Sequence, residues 1–218
     1  MMEKNRSGQF VALLALIVGI VGVSVGFAAF SNVLEIKSSA TVNPDASTLN
    51  VDFSSSKTEV LANDITPTVT PESITATTAT IDNSNNPIIS NLSATFKEPG
   101  QKAVYTFYAY NAGELEAFLK SIVYANVAGE TSNKVCKAKA GTTDALVQKA
   151  CEGISLKVKV GNEAETSSGI GSISSHSLAK NVGETVTVTL EYAADAARAD
   201  GDFDVSFGSV TLNYSSVD

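Results

Sequence analysis

The chain of 218 residues contains one histidine, and histidine is the side chain that most often serves as a base in hydrolytic catalysis. A hydrolase needs such a base beside a nucleophile. His176 instead lies in the segment Ser174-Ser175-His176-Ser177, and the chain has neither a Gly-x-Ser-x-Gly elbow nor a His-Glu-x-x-His pair. The sequence therefore predicts that His176 is a loop residue and that the protein is not an enzyme.

Two cysteines, Cys136 and Cys151, are the next candidates for chemistry. Two thiolates and one histidine are too few ligands for a zinc site, whereas a pair of cysteines in an exported region is typical of a disulfide. Closing a loop of roughly 15 residues would contribute about 3 kcal/mol in the chain-entropy model. We expect a disulfide, with free thiols as the alternative if the cell exterior is not oxidising.

Three acidic residues, Asp200, Asp202 and Asp204, alternate in a turn-like segment. Carboxylate oxygens can bind calcium, but this segment lacks the glycine at position 6 and the glutamate at position 12 of an EF-hand loop. The prediction is a solvated turn, with calcium binding as the alternative. No cofactor and no metal are expected.

The N-terminal segment determines on which side of the membrane the rest of the chain lies. Residues 1–8 carry Lys4 and Arg6, and residues 10–30 form a 21-residue run without a charge, which as a helix would span about 32 Å. That length suits a membrane anchor, but the small residues of Gly26-Phe27-Ala28 suit a signal peptidase. In both cases the basic end stays in the cytoplasm and the rest is exported. We therefore predict a signal peptide or membrane segment over residues 1–28 and one exported domain over residues 29–218.

Apolar and polar residues alternate along the exported part. Residues 49–53, 92–96, 154–160 and 184–192 have an apolar residue at every second position, the period of a half-buried strand. Segments rich in Asn, Asp, Gly and Pro separate these runs. Many short strands with regular turns predict an all-β protein, a β-sandwich preceded by an apolar N-terminal helix.

Three segments depart from this alternation. Residues 144–150 are predicted to form a short helix capped by Thr143 and enclosed by the two cysteines, an insertion near residues 136–151. Residues 63–71 are expected to form an extended loop. The apolar parity changes at Gly208, where a bulge or tight bend is predicted.

The formal net charge of −8 argues against nucleic acid as a partner, because phosphate binding needs clustered Lys and Arg. An acidic surface rich in Ser and Thr mainly keeps a protein soluble outside the cell. The membrane is expected as a partner only through the N-terminal segment before cleavage.

Several segments are similar to one family. The leader ends Gly-Phe-Ala-Ala-Phe-Ser, and the segment Phe-Lys-Glu-Pro-Gly-Gln-Lys over residues 96–102 precedes Tyr-Thr-Phe-Tyr-Ala-Tyr-Asn-Ala-Gly over residues 105–113. In this order the segments resemble the TasA/camelysin family of bacterial surface proteins. The resemblance covers the leader and most of the domain. Some members of the family are labelled metalloproteases, but a chain with one histidine offers no credible metal centre, so we do not expect that activity here. The loop closed by Cys136 and Cys151 has no counterpart in the family pattern.

The resemblance implies a jelly-roll-like β-sandwich that is exported and cut by a SipW-type signal peptidase between Ala28 and Ala29. It further implies assembly into extracellular fibres of a biofilm matrix at the cell surface. The partner would be a second copy of the chain, joined head to tail, with other matrix proteins as further candidates.

By the same resemblance, the freed N-terminal segment of one subunit would add as a strand to the next. The donor residues would be Leu34, Ile36 and Ala40, which share one face, with Phe30 as a plug for the neighbour's groove. The alternative is that this segment pairs within its own domain. A head-to-tail contact of this kind is open and gives filaments.

Two other functions stay open beside the filament subunit. If residues 10–30 are retained, the protein is a monomeric, membrane-anchored surface or adhesion domain. If the chain is cut after Gly8, it resembles a pilin with a retained helix, although Leu13 lies where a pilin would have glutamate.

Overall fold

The computed structural model describes residues 31–35, 49–71, 74–84 and 86–216. Every described residue belongs to the compact unit Ser31–Asp218. The predicted signal peptide or membrane segment and the predicted cleavage pair Ala28 and Ala29 lie outside the described residues. In the part of the chain that is described, no helix is both long and apolar enough to cross a membrane.

The described residues form strands of two to ten residues and one helix, which confirms the all-β prediction. The elements are β1 (Ser31–Glu35), β2 (Val51–Ser54), β3 (Thr68–Thr70), β4 (Thr75–Ala76), β5 (Thr80–Asp82), β6 (Ile88–Ser90), β7 (Ala94–Thr95), β8 (Lys102–Asn111), β9 (Ala117–Tyr124), β10 (Lys134–Ala138), α1 (Asp144–Glu152), β11 (Ile154–Val160), β12 (Ser177–Leu178), β13 (Gly183–Tyr192), β14 (Phe203–Phe207) and β15 (Val210–Ser215).

Two larger sheets make up most of the fold. A six-stranded sheet has the order β12-β9-β15-β1-β6-β5. The second sheet has the order β11-β13-β8-β2, and β3 also pairs with β8. Two-stranded ladders join β10 to β14 and β4 to β7. Nearly all pairs are antiparallel, and the arrangement is β-sandwich-like.

The predicted alternation explains the core. In β11 the residues Ile154, Leu156, Val158 and Val160 are buried, and the lysines between them are more exposed. The β13 segment buries its apolar positions in the same way. A strand with one buried and one solvent-exposed face removes apolar area from water at alternate positions. This burial is the main contribution of the sheets to stability.

Two predictions for loops and strands need correction. Within the predicted strand 92–96 only Ala94–Thr95 pairs as a strand, because the backbone N–H of Ser93 donates to the Tyr105 hydroxyl (3.1 Å) instead of to a neighbouring strand. The expected loop 63–71 includes β3, whose Thr68 lies opposite Val104 of β8.

The predicted bend at Gly208 is a change of sheet. The strand before it, β14, pairs with β10, and the strand after it, β15, pairs with β9 and β1. A Cβ at Gly208 would lie 1.9 Å from the carbonyl oxygen of Ala125. Glycine is therefore required where the chain crosses from one ladder to the other.

The predicted insertion contains the helix α1, with Thr143 at its N-cap position. The Thr143 side chain does not cap the helix, which corrects the prediction. Its hydroxyl instead donates to Oδ2 of Asp200 at 2.6 Å.

Candidate functional site

The N-terminal strand β1 lies inside the six-stranded sheet, not at its edge. It pairs antiparallel with β15 from Ser31 opposite Ser215 to Glu35 opposite Thr211. On its other side it pairs parallel with β6, where Glu35 lies opposite Ile88. We call the space between β15 and β6 the β1 slot.

Both walls of the β1 slot are anchored in the core. In β15 the alternate residues Val210, Leu212 and Tyr214 are buried, and in β6 Ile89 is fully buried. Without β1, the strands β15 and β6 would each present a row of unpaired backbone groups, a template for another strand. The slot is therefore a site at which an extended segment completes the sheet.

The predicted donor segment is partly described. Leu34 lies in β1, opposite Leu212 of β15. The other predicted donor residues, Phe30, Ile36 and Ala40, lie outside the described residues. In the single chain β1 pairs within its own domain, which was the alternative to donation. Donation to a neighbouring subunit stays a prediction.

A cluster of ionisable side chains lies at the end of β15. His176 is a loop residue, as predicted, but its side chain is only 10% exposed and bridges two carboxylates. Its Nδ1 lies 2.7 Å from Oε1 of Glu163, and its Nε2 lies 2.5 Å from Oε2 of Glu184. The Tyr214 hydroxyl donates to Oε1 of Glu184 at 2.5 Å. We call His176, Glu163, Glu184 and Tyr214 the His176 cluster.

The chain makes room for this cluster at Gly161, whose φ is +51°. A Cβ at this position would lie 2.7 Å from Oε2 of Glu184 and 3.2 Å from the His176 ring. Glycine thus allows both the left-handed backbone conformation and the close approach of the two side chains.

The electrostatics of the cluster favour a charged imidazole. The pKa of His176 is raised to about 9 in spite of its burial. The main cause is the hydrogen bond to Glu184, and the bond to Glu163 and the negative charges of both carboxylates add to it. Burial, reinforced by Glu184, raises the pKa of Tyr214 well above its usual value. Near neutral pH both ring nitrogens of His176 therefore donate hydrogen bonds. A ring committed in this way has no free lone pair with which to accept a proton from a substrate.

The sequence did not reveal this cluster. Glu163 follows β11, Glu184 lies in β13 and Tyr214 lies in β15, so only the pairing of distant strands brings them to His176. The one available signal was a single histidine in a chain with an excess of acidic residues.

The predicted disulfide between Cys136 and Cys151 is present, with a Cα–Cα distance of 6.1 Å. It joins β10 to α1 and packs with the buried Val147. The ammonium group of Lys134 donates to the carbonyl oxygens of Cys151 (2.5 Å) and Ile154 (2.6 Å). Cations are favourable at a helix C-terminus, so this contact reinforces the insertion.

The three aspartates lie at the surface and make separate contacts. Asp200 accepts hydrogen bonds from the hydroxyl and the backbone N–H of Thr143, and these bonds lower its pKa. Asp204 pairs with Lys139 at 3.0 Å, and Asp202 is exposed. No group of three or more potential metal-ligating side chains occurs in the described ranges. Asp200 thus holds the start of α1 to the loop before β14.

No protein-family model, no curated protein and no solved structure matches the chain. The resemblance to the TasA/camelysin family therefore stays a prediction that rests on the quoted segments.

Proposed function

We propose that this protein is a structural subunit of an extracellular filament of the biofilm-matrix type, a secreted, jelly-roll-like sandwich that assembles by exchange of its N-terminal strand. The observation that carries the proposal is the position of β1. An N-terminal strand that fills a slot inside a sheet can be replaced by the same strand of another copy.

Exchange would preserve the local interactions. A β1 from a second copy would make the same backbone hydrogen bonds in the same register with β15 and β6. Because the exchanged strand is identical, the exchange costs little free energy. A head-to-tail exchange that does not close into a ring produces a filament. The equilibrium would then depend on protein concentration.

The chain has enough length for the exchange. Residues 36–48 connect β1 with the part of the domain that begins at Leu49. Thirteen extended residues reach about 40 Å, which is comparable to the diameter of a domain of this size. A neighbouring domain would therefore be within reach of β1.

Cleavage of the leader would prepare β1 for the exchange. A cut between Ala28 and Ala29 would leave only Ala29 and Phe30 ahead of the strand. The strand would then be free at one end, whereas a retained anchor would tie it at both ends. The disulfide is consistent with export to an oxidising environment.

The second candidate is a monomeric surface or adhesion domain that stays anchored through residues 10–30. The pairing of β1 within its own domain favours it, because a tethered strand would keep that arrangement. The two candidates differ in the N-terminus of the exported protein.

The first experiment is the intact mass and N-terminal sequence of the protein recovered from the cell exterior. We expect a chain that begins at Ala29 and gains about two mass units on reduction, the signature of one disulfide. A chain that begins at Met1 would favour the anchored domain, and one that begins at Gln9 would favour the pilin-like alternative.

The second experiment locks β1 in place. Val33 lies directly opposite Asn213, and the Cβ atoms of such pairs are about 5 Å apart. In the double variant Val33→Cys, Asn213→Cys, a bond between the new cysteines should prevent filaments visible by electron microscopy, and reductant should restore them. The matched controls are the Val33→Cys single variant and wild type under the same reductant. Filaments from fully cross-linked monomers would contradict strand exchange.

A further inference from the structure

The His176 cluster lies where β1 begins to pair. Tyr214 is opposite Asn32 of β1 on one side and opposite Leu119 of β9 on the other. The register between β15 and β9 shifts between Asn213 and Tyr214. The backbone N–H of Leu119 donates to the carbonyl oxygen of His176 at 2.9 Å. His176 is thus bound through its backbone to the strand that flanks the irregular end of β15.

The same cluster joins the two larger sheets. Glu184 belongs to β13 of the second sheet, and it accepts the hydroxyl proton of Tyr214 from the six-stranded sheet. The groups that face His176 are Glu163 from the loop after β11 and Glu184 from β13, and Tyr214 is reached through Glu184. The nearby Lys180 pairs with Glu114.

The geometry of the cluster depends on one proton. With both ring nitrogens protonated, each faces a carboxylate oxygen as a donor. After loss of one proton, a nitrogen lone pair would face a carboxylate oxygen at hydrogen-bonding distance. This contact is repulsive and leaves a partly buried carboxylate without its donor, so the side chains must separate.

We propose that the His176 cluster is a proton-dependent latch on the N-terminal strand, which holds the end of β15 in place for β1 while His176 is charged and releases it when the charge is lost. The role in assembly rests on the proposed function, but the latch itself is a property of the single chain.

The direction of the effect follows from the raised pKa of His176, which is about 9. The latch is closed at neutral pH and opens as the pH rises through about 9. Tyr214 keeps its proton over this range, because its own pKa is raised well above the ordinary value. Alkaline conditions should therefore speed the exchange of β1.

Hydrogen exchange of the protein recovered from the cell exterior tests the latch. Protection factors, which correct for faster intrinsic exchange in base, are measured at pH 7 and pH 10 for the amides that join β1 to β15. We expect wild-type protection to fall about thirtyfold relative to the β10–β14 ladder, the fold-change that corresponds to a solvent-screened contribution of about 2 kcal/mol from the raised pKa of His176.

Three variants identify the group responsible. In His176→Gln, protection should already be low at pH 7 and should change little up to pH 10. In Glu163→Gln, which leaves Glu184 in place, the transition should move to lower pH. Lys180→Gln, which removes a cation four residues away, should behave as wild type. Unchanged wild-type protection, or a full pH-dependent loss in His176→Gln, would overturn the latch.

Electron microscopy of the same samples separates this inference from the proposed function. Protection that falls with pH in a protein that never forms filaments would support the latch and count against the filament subunit. Filaments that form while protection stays unchanged between pH 7 and pH 10 would support the subunit and overturn the latch.

Discussion

The hydroxyl of Tyr214 donates a hydrogen bond of 2.5 Å to Glu184, and this bond joins the six-stranded sheet to the sheet that contains β13. Tyr214 is almost completely buried, and the Glu184 side chain is only 12% exposed. A buried carboxylate needs its donors, because water cannot replace them. The contact therefore makes the two sheets depend on each other.

Replacement of Tyr214 by phenylalanine tests this dependence. Removal of the hydroxyl leaves Glu184 with one donor fewer, and the free energy of unfolding should fall by about 2 kcal/mol, as is usual for hydrogen bonds to charged groups. The measurement is urea denaturation at pH 7. The control is Tyr108→Phe on β8, a half-buried tyrosine, which should change stability by less than about 0.5 kcal/mol. Equal effects of both substitutions would contradict a role for the Tyr214 hydroxyl.

Stability should depend on pH through His176. The pKa of its side chain rises from 6.5 in the unfolded chain to about 9 in the folded protein, so its stabilising contribution is complete below pH 6.5 and disappears as the pH rises through 9. The contribution is about 2 kcal/mol, because solvent screening at Glu163, whose side chain is 27% exposed, reduces the full linkage value.

Denaturation of wild type and His176→Gln from pH 6 to pH 10 measures this contribution. The difference between the two proteins should be largest at pH 6 and close to zero at pH 10. Comparison with the variant removes the effects of other titrating groups. A difference that stays constant with pH would show that His176 does not titrate in the predicted range.

The disulfide should stabilise the insertion. Replacement of Cys136 and Cys151 together by alanine should lower the free energy of unfolding by about 3 kcal/mol, the value for a loop of about 15 residues. Denaturation with and without reductant is the measurement. Reductant should destabilise wild type by a similar amount and leave the double variant unaffected. A wild-type protein insensitive to reductant would contradict this account.

The change of sheet at Gly208 should not tolerate a side chain. In Gly208→Ala the new Cβ would collide with the backbone at Ala125, and we expect a loss of about 3 kcal/mol by thermal denaturation. The matched control is Gly171→Ala, since no atom lies within 4 Å of the added Cβ there. This control should change stability by less than about 1 kcal/mol. Similar losses in both variants would contradict the collision at Ala125 as the cause.

Local patterns were enough to predict the elements with strong periodicity. The alternation in residues 154–160 and 184–192 corresponds to β11 and β13. It could be predicted because the two-residue period of a strand involves only residues close along the chain. The bend at Gly208 was predictable from the change of parity. Residues 92–96 show the limit of such patterns, since the backbone N–H of Ser93 donates to the Tyr105 hydroxyl instead of to a neighbouring strand.

By itself, the sequence determined the all-β class, the cysteine pair and the short helix between its members, because these depend on composition and on residues close along the chain. Only the tertiary structure decided that β1 lies between β15 and β6 and that His176 meets Glu163, Glu184 and Tyr214. Those contacts join residues far apart in sequence. They arise from the cooperative pairing of whole strands, and a two-residue period contains no information about which strands pair.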